Sequence, residues 1–229
     1  MKNLNSLLTI FFVVLLFSLG GCATDELEIP EENTEVTDIE SNESLKRIAS
    51  TKWDVQTLGK SYKGIGNRNE IKRRFKNNGS SLWMKVVRGD GTTPNSRYSR
   101  TELRSRRGNF STKTTHNMNV TMEVIKSTKK VIIGQIFDQN DGDDYGVVYL
   151  SGKKMYAQFD GQSAKKLSDN VGKFATFSIR TKNGKTTISG EGKSISRNGV
   201  RSNCYFKTGV YLQKDSGSAE VRITKLSQN

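Results

Sequence analysis

The segment Cys204-Tyr205-Phe206-Lys207-Thr208-Gly209-Val210-Tyr211-Leu212-Gln213 decides the fold of this sequence. In a β-strand, successive side chains point to opposite faces, so Phe206, Val210 and Leu212 would share one apolar face. The opposite face would be polar and aromatic, and it would carry Tyr205, Lys207, Gly209, Tyr211 and Gln213. The pattern predicts a strand with one face in a core and the other in a polar surface.

Two further segments divide in the same way. In Arg100-Thr101-Glu102-Leu103-Arg104 the charged residues fall on one face, and in Gln135-Ile136-Phe137 the glutamine shares a face with Phe137. We expect these three strands to line one surface with arginine, glutamine, lysine and tyrosine side chains.

Alternating apolar residues also recur through the rest of the chain. The clearest strand is His116 to Ile125, and the dipeptide Asn183-Gly184 predicts a two-residue hairpin turn. Other strands are predicted at 82–87, 98–106, 131–137, 145–150, 155–159, 174–181, 186–189, 203–213 and 219–226, and residues 53–75 are interpreted as a leading strand and loop. About ten strands without helical periodicity predict an all-β fold, an antiparallel β-jelly roll or sandwich with a concave substrate groove.

The N-terminal region differs from the rest of the chain. Residues 1–21 have the pattern of a signal peptide, and Leu19-Gly20-Gly21-Cys22 resembles the cleavage box of bacterial lipoproteins, in which the cysteine is lipidated. The alternative is a plain signal peptide with an incidental cysteine. Residues 22–48 carry nine acidic side chains up to Glu43 and predict a disordered tether, followed by a folded domain at 49–229. The acidic stretch resembles the surface-export signals of Bacteroidetes lipoproteins, so we expect an outer membrane lipoprotein exposed at the cell surface.

The charge of the folded part indicates an anionic partner. The chain has 37 basic and 23 acidic residues, and residues 46–229 hold 36 and 14 of them, a net charge of +22. Such a domain attracts polyanions. We found no nucleic-acid motif, and the exported context favours an acidic polysaccharide over nucleic acid. We expect the protein to be a monomer.

The only cysteine of the folded part, Cys204, excludes a disulfide framework and is interpreted as a buried apolar residue. The loop from Asp138 to Asp144 is superficially similar to a calcium loop. Its glycine comes one position early, and no glutamate closes it, so a solvated turn is favoured over calcium. We expect no metal and no other cofactor.

Taken together, the three polar segments resemble the three motifs of the alginate lyases of polysaccharide lyase family seven, in the same order. The segments that begin at Arg100 and Tyr205 match closely, and the one that begins at Gln135 matches in part. The resemblance covers residues 50 to 227 and implies a β-jelly roll whose inner strands carry the motifs. It also implies a lyase that cuts a uronic-acid polymer by β-elimination.

The resemblance assigns roles to individual residues. Arg104 or Arg100, together with Gln135, would neutralise the sugar carboxylate, and Tyr211 would be the catalytic tyrosine. Arg104, Gln135 and Tyr211 are thus the expected catalytic residues. Tyr205, Lys207 and Gln213 share the strand face of Tyr211, so we expect them to bind substrate together with Arg100, Glu102 and His116. His116 is also a candidate for a separate base on a neighbouring strand. For the arginines the alternative is simple ion pairing, for Tyr211 an ordinary groove residue, and for His116 a packing role in an amphipathic strand.

Phe137 departs from the family pattern, in which a histidine accepts a proton at this position. In β-D-mannuronate the C5 hydrogen and the C4 oxygen lie on the same side of the ring, so one tyrosine can serve both. In α-L-guluronate they lie on opposite sides, so a separate base is needed. We therefore expect preference for mannuronate-rich alginate, or for glucuronan or ulvan; the alternative is a lipoprotein that binds acidic glycans without cutting them.

Overall fold

The computed structural model describes residues 53–93, 96–106, 108–213 and 217–229. The predicted signal peptide, Cys22 and the tether lie outside these residues. Within the described ranges, no helix has the length and apolar character needed to span a membrane.

The described part of the chain contains fifteen strands, joined by turns and loops. They are β1 Trp53–Thr57, β2 Lys60–Lys63, β3 Phe75–Asn77, β4 Leu82–Val87, β5 Arg100–Ser105, β6 His116–Lys126, β7 Val131–Asp138, β8 Asp143–Ser151, β9 Lys154–Phe159, β10 Lys165–Ser168, β11 Phe174–Lys182, β12 Lys185–Gly190, β13 Lys193–Asn198, β14 Cys204–Leu212 and β15 Ser218–Gln228.

The strands form two antiparallel sheets. The eight-stranded sheet has the order β10-β9-β8-β7-β14-β5-β1-β2, and the seven-stranded sheet has the order β13-β12-β11-β6-β15-β4-β3. Because the three motif strands β7, β14 and β5 are direct neighbours, their polar faces form one continuous surface. We call the face of the eight-stranded sheet that points away from the core the open face.

The core lies between the two sheets and follows the period-two pattern of the sequence. On β6, Met118, Val120 and Met122 are buried, whereas Asn119 between them is exposed. A β-carbon at Gly134 of β7 would run into the ring of Phe177 on β11. The apolar faces of the two sheets therefore interdigitate as in other β-sandwiches.

The predicted all-β antiparallel sandwich is confirmed, and each of the ten predicted strands is present. The predicted hairpin joins β11 to β12, with both turn residues at positive φ, 52° for Asn183 and 74° for Gly184.

Cys204 is fully buried, and burial raises the pKa of its thiol to about 12, so it is an unreactive packing residue.

Four strands were not separately predicted. They are β2, β3, β10 and β13. Both β2 and β13 lie at sheet edges and expose most of their side chains, so neither carries the apolar alternation by which a strand is recognised.

Gly209 allows β14 to pass close to β5. Its φ is +141°, and a β-carbon there would lie 2.5 Å from the Thr101 carbonyl oxygen and 2.8 Å from the Glu102 α-carbon. Around it, the pairing of β14 with β7 shifts register between Thr208 and Tyr211. Only glycine fits here, and the close approach and register shift that it allows place Tyr211 opposite Arg100 of β5.

Replacing Gly209 with alanine should lower the free energy of unfolding by about 2–4 kcal/mol, through backbone strain and the clash with β5. Urea denaturation of the purified protein measures this loss. Gly66→Ala is the control, because a β-carbon there meets nothing within 4 Å. Equal effects of the two substitutions would contradict the role given to Gly209.

Candidate active site

The polar residues of the three motifs face one another on the open face. Lys207 on β14 lies directly opposite Arg104 on β5 and Gln135 on β7. The remaining cross-strand pairs are Gly209 with Glu102, Tyr211 with Arg100, and Tyr205 with Phe137. Since cross-strand partners share a face, the motifs form one cluster.

Glu102 is the centre of this cluster and is completely buried. Its Oε1 accepts a hydrogen bond of 2.5 Å from Gln135 Nε2, and its Oε2 lies 3.2 Å from Arg100 Nη1. Arg100 is fixed a second time, because its Nη2 donates to Ser96 Oγ at 2.5 Å. One carboxylate thus orients both a guanidinium and an amide.

Both partners of Glu102 keep hydrogen-bonding capacity for a ligand. An amide nitrogen carries two hydrogens, so Gln135 Nε2 retains one after bonding Glu102. Arg100 Nε is buried and, among the described residues, has no hydrogen-bond partner. Unused buried donors are costly unless a ligand satisfies them, so this pair suits an incoming carboxylate.

Each of the two tyrosines is packed against an arginine. The Arg100 guanidinium carbon lies 4.2 Å from the centre of the Tyr211 ring, and that of Arg104 lies 4.2 Å from the centre of the Tyr205 ring. Burial raises the pKa of Tyr205, although the two arginines oppose this effect. Tyr205 therefore stays a neutral phenol.

Lys207 brings a desolvated positive charge to the site. It is 4% exposed, and its Nζ lies 4.3 Å from the centre of the Phe137 ring. Burial lowers the pKa of Lys207, while the charge of Glu102 opposes that shift. A buried ammonium gains from an anion placed beside it, so Lys207 favours the binding of an anion here.

Comparison with known proteins identifies the family of the chain. A family model described as alginate lyase matches residues 51–229, which is most of the chain. The chain belongs to the alginate lyase family.

Solved structures show the same fold. The alginate lyase AlgAT5 from polysaccharide lyase family 7 is 25% identical, with 78% of this chain and 94% of that one covered and a TM-score of 0.65. Alginate lyase A1-II′ is 20% identical, with 81% and 97% covered and a TM-score of 0.68. An alginate lyase from Pseudomonas aeruginosa is 18% identical, with 78% and 97% covered and a TM-score of 0.65. Among curated proteins, none matches the chain in sequence.

Phe137 is the apolar member of this cluster of side chains. Its ring lies 5.2 Å from that of Tyr205 and beneath the Lys207 ammonium, so it fills the position with an apolar surface. A phenyl ring has no proton to exchange. A residue that accepts or donates a proton on this side of the site must therefore be one other than Phe137.

Asp144 on β8 is a site residue that the sequence analysis did not single out. It lies directly opposite Phe137, at a register shift between β7 and β8. Burial raises the pKa of Asp144 to about 6, and the charge of Lys207 limits the increase. The sequence signal was hidden because Asp144 ends the acidic loop, and the bulge that turns it to the open face leaves no mark in the alternation.

Gln56 on β1 was also missed. It lies opposite Glu102, is 9% exposed, and its Oε1 has no hydrogen-bond partner among the described residues. It therefore borders the open face beside the cluster. The interpretation of residues 53–75 as a leading strand and loop did not reveal which strand β1 would pair with.

The structure does not bring His116 to this site, so its expected role in substrate binding is corrected. His116 begins β6 in the seven-stranded sheet, stacks on Phe110 at 4.2 Å, and places its Nε2 2.9 Å from Thr114 Oγ1. Burial lowers the pKa of His116. Its alternation placed it on a strand, but a local pattern does not show which sheet a strand joins.

Gln213 and the acidic loop from Asp138 to Asp144 lie at the edge of the candidate site. Gln213 follows the end of β14, and its Nε2 donates to the Leu212 carbonyl oxygen at 3.2 Å, so its subsite role stays a prediction. In the loop, Arg201 pairs with Asp138 and Asp141. Within the described residues, no group of three or more histidine, cysteine or acidic side chains could hold a metal ion.

Asp144 should make the protein less stable as the pH rises from about 4 to about 6. Its pKa is higher in the folded than in the unfolded chain, so the folded state binds more protons in this window. Asp144→Asn should therefore raise the free energy of unfolding at pH 7 by roughly 1–3 kcal/mol, and this gain should vanish at pH 4.

Urea denaturation at the two pH values measures this difference. The matched control is Asp143→Asn, since Asp143 is the exposed neighbour of Asp144 and asparagine can still accept the hydrogen bond from the Asp144 N–H. A gain from Asp144→Asn that is the same at both pH values would contradict the assignment.

Proposed function

We propose that the protein is a polysaccharide lyase that cleaves alginate by β-elimination and leaves unsaturated uronate ends. The observation that carries this proposal is the buried Glu102, which holds Arg100 and Gln135 with donors to spare, beside Tyr211. Membership of the alginate lyase family supports the same substrate class.

The chemistry explains why the site needs this cluster. The C5 hydrogen of a uronate is a poor acid while the neighbouring carboxylate is negatively charged. Hydrogen bonds from Arg100 and Gln135 disperse that charge and stabilise the further charge that develops as the proton leaves. Lys207, desolvated on the same face, strengthens the effect.

Tyr211 is the proton carrier of the proposed reaction. Its ring is held against Arg100, and it is 9% exposed, so its position is fixed while it remains reachable. The phenol can take the C5 proton and then protonate the C4 oxygen as it leaves. Arg104 lies opposite Lys207 in the sheet and packs against Tyr205. It adds a further positive charge to the open face.

Phe137 supports a preference for mannuronate-rich alginate. With no titratable side chain at that position, Tyr211 serves substrates whose C5 hydrogen and C4 oxygen lie on the same side of the ring. Glucuronan and ulvan contain residues of this kind and are the alternative substrates. The net charge of +22 over residues 46–229 draws such polyanions to the surface.

The N-terminal sequence supports attachment to a membrane. Cys22 would carry the lipid, and the acidic segment 22–48 would tether a monomeric domain to the outer membrane at the cell surface. A lyase there would act on polymers too large to cross the membrane.

A uronan panel tests the proposed activity. Purified protein mixed with polymannuronate, polyguluronate, glucuronan and ulvan should increase the ultraviolet absorbance of unsaturated ends, fastest with polymannuronate. Tyr211→Phe should lower the rate by about 10³-fold, because a general acid–base group contributes 10²–10⁴. Binding of polymannuronate, measured by calorimetry, should persist in this variant.

Tyr62→Phe is the matched control, since Tyr62 lies on β2 and packs against the core rather than the site. Binding of a uronan without any rise in absorbance would instead establish a non-catalytic binder of acidic glycans. Full activity of Tyr211→Phe would show that another residue moves the proton.

A further inference from the structure

The proposed reaction leaves α-L-guluronate without a proton acceptor, and the register of the open face shows where one lies. Along β7, Gln135 is flanked by Ile132, which is level with Tyr211, and by Phe137, which is level with Asp144. Tyr211 and Asp144 therefore stand on opposite sides of the amide that receives the sugar carboxylate. A uronate whose carboxylate is bound at Gln135 would therefore lie between the phenol and the Asp144 carboxylate.

The bulge in β8 turns Asp144 toward the site. Tyr145, the next residue, is 3% exposed and packs against Phe159 in the core, so Asp144 points to the open face. The charged groups that act on it come from two other strands, Lys207 on β14 and both Arg100 and Glu102 on β5, and from its own neighbour Asp143. Asp144 is thus electrostatically part of the cluster.

Other groups of the described structure are less suited to accept the proton. Glu102 is fully buried and committed to Arg100 and Gln135. His116 belongs to the other sheet. Burial gives Asp144 a pKa of about 6, close to that of an ordinary histidine, so its carboxylate is a stronger base than an exposed aspartate.

We propose that the Asp144 carboxylate accepts the C5 proton of α-L-guluronate residues, from the face of the sugar opposite Tyr211. This inference rests on the proposed lyase function and extends its substrate range. Because Asp144 lies on β8, one strand beyond Phe137, and has a short side chain, guluronate is cut more slowly than mannuronate.

The step is balanced without any co-reactant. The C5–H bond breaks and its proton goes to Asp144, while the electron pair is delocalised into the sugar carboxylate held by Arg100 and Gln135. That pair then forms the C4–C5 double bond as the C4–O bond breaks, and the departing oxygen takes the proton of the Tyr211 phenol. Asp144 returns its proton to solvent, and Tyr211 regains one.

The test compares the wild type and Asp144→Asn on polyguluronate and polymannuronate. The ratio of the polyguluronate rate to the polymannuronate rate should fall about 10²-fold, the contribution of a general base. In the wild type, the polyguluronate rate should rise with pH through about 6, as the Asp144 carboxyl ionises. This rise should be absent in Asp144→Asn.

Two further variants make the outcome specific. Asp143→Asn removes the same charge from the exposed neighbour and should keep the wild-type ratio. Adding Phe137→His to Asp144→Asn supplies an imidazole on the same side and should restore cleavage of polyguluronate. Circular dichroism checks that each variant is folded.

Three results would overturn the inference. They are an unchanged ratio and pH profile in folded Asp144→Asn, cleavage of polymannuronate with none of polyguluronate by the wild type, and an equal fall in the ratio with Asp143→Asn. Absence of cleavage on both polymers would instead overturn the proposed function, and the inference with it.

Discussion

The active site depends on one buried carboxylate, that of Glu102. A buried charge that loses its partner costs several kcal/mol, so Glu102 strongly favours the arrangement in which Arg100 and Gln135 both contact it. Those two side chains belong to neighbouring parts of the sheet and would otherwise be free to turn. Their shared partner holds them in place before substrate arrives, which is the condition for stabilising developing charge without reorganisation.

The other charges of the site illustrate a trade between stability and function. Lys207 is buried and Asp144 is half-buried, and burial shifts the pKa of each toward its neutral form. An apolar residue at either position would cost the fold less. In the proposed reaction each of them has a task beside Phe137, which has no titratable side chain.

The sequence was informative wherever local alternation determined the outcome. The strands around Met122, Phe206 and Leu103 have one apolar face, and that pattern fixes both the strand and the side that enters the core. It also placed Arg100, Gln135 and Tyr211 on polar faces of three strands. That those strands are direct neighbours is seen only in the structure, because pairing over long separations is absent from local patterns.

What remained hidden depends on register and sheet membership. Asp144 reaches the open face through a bulge, and Gln56 through its pairing with Glu102, neither of which alternation reveals. His116 begins a regular amphipathic strand, yet that strand belongs to the opposite sheet. The edge strands β2 and β13 each place a single partly buried hydrophobic residue against the core, Tyr62 and Ile195, which is too little for an apolar alternation.

The most direct test of this account is the turnover of Glu102→Gln on polymannuronate. Glutamine keeps the size of the side chain and an acceptor for Gln135, but it removes the charge that holds Arg100. We expect kcat/KM to fall at least about 10²-fold in a variant whose circular dichroism spectrum is unchanged, because misplaced catalytic groups cost that much. A folded Glu102→Gln protein with kcat/KM close to that of the wild type would contradict the central role of the buried carboxylate.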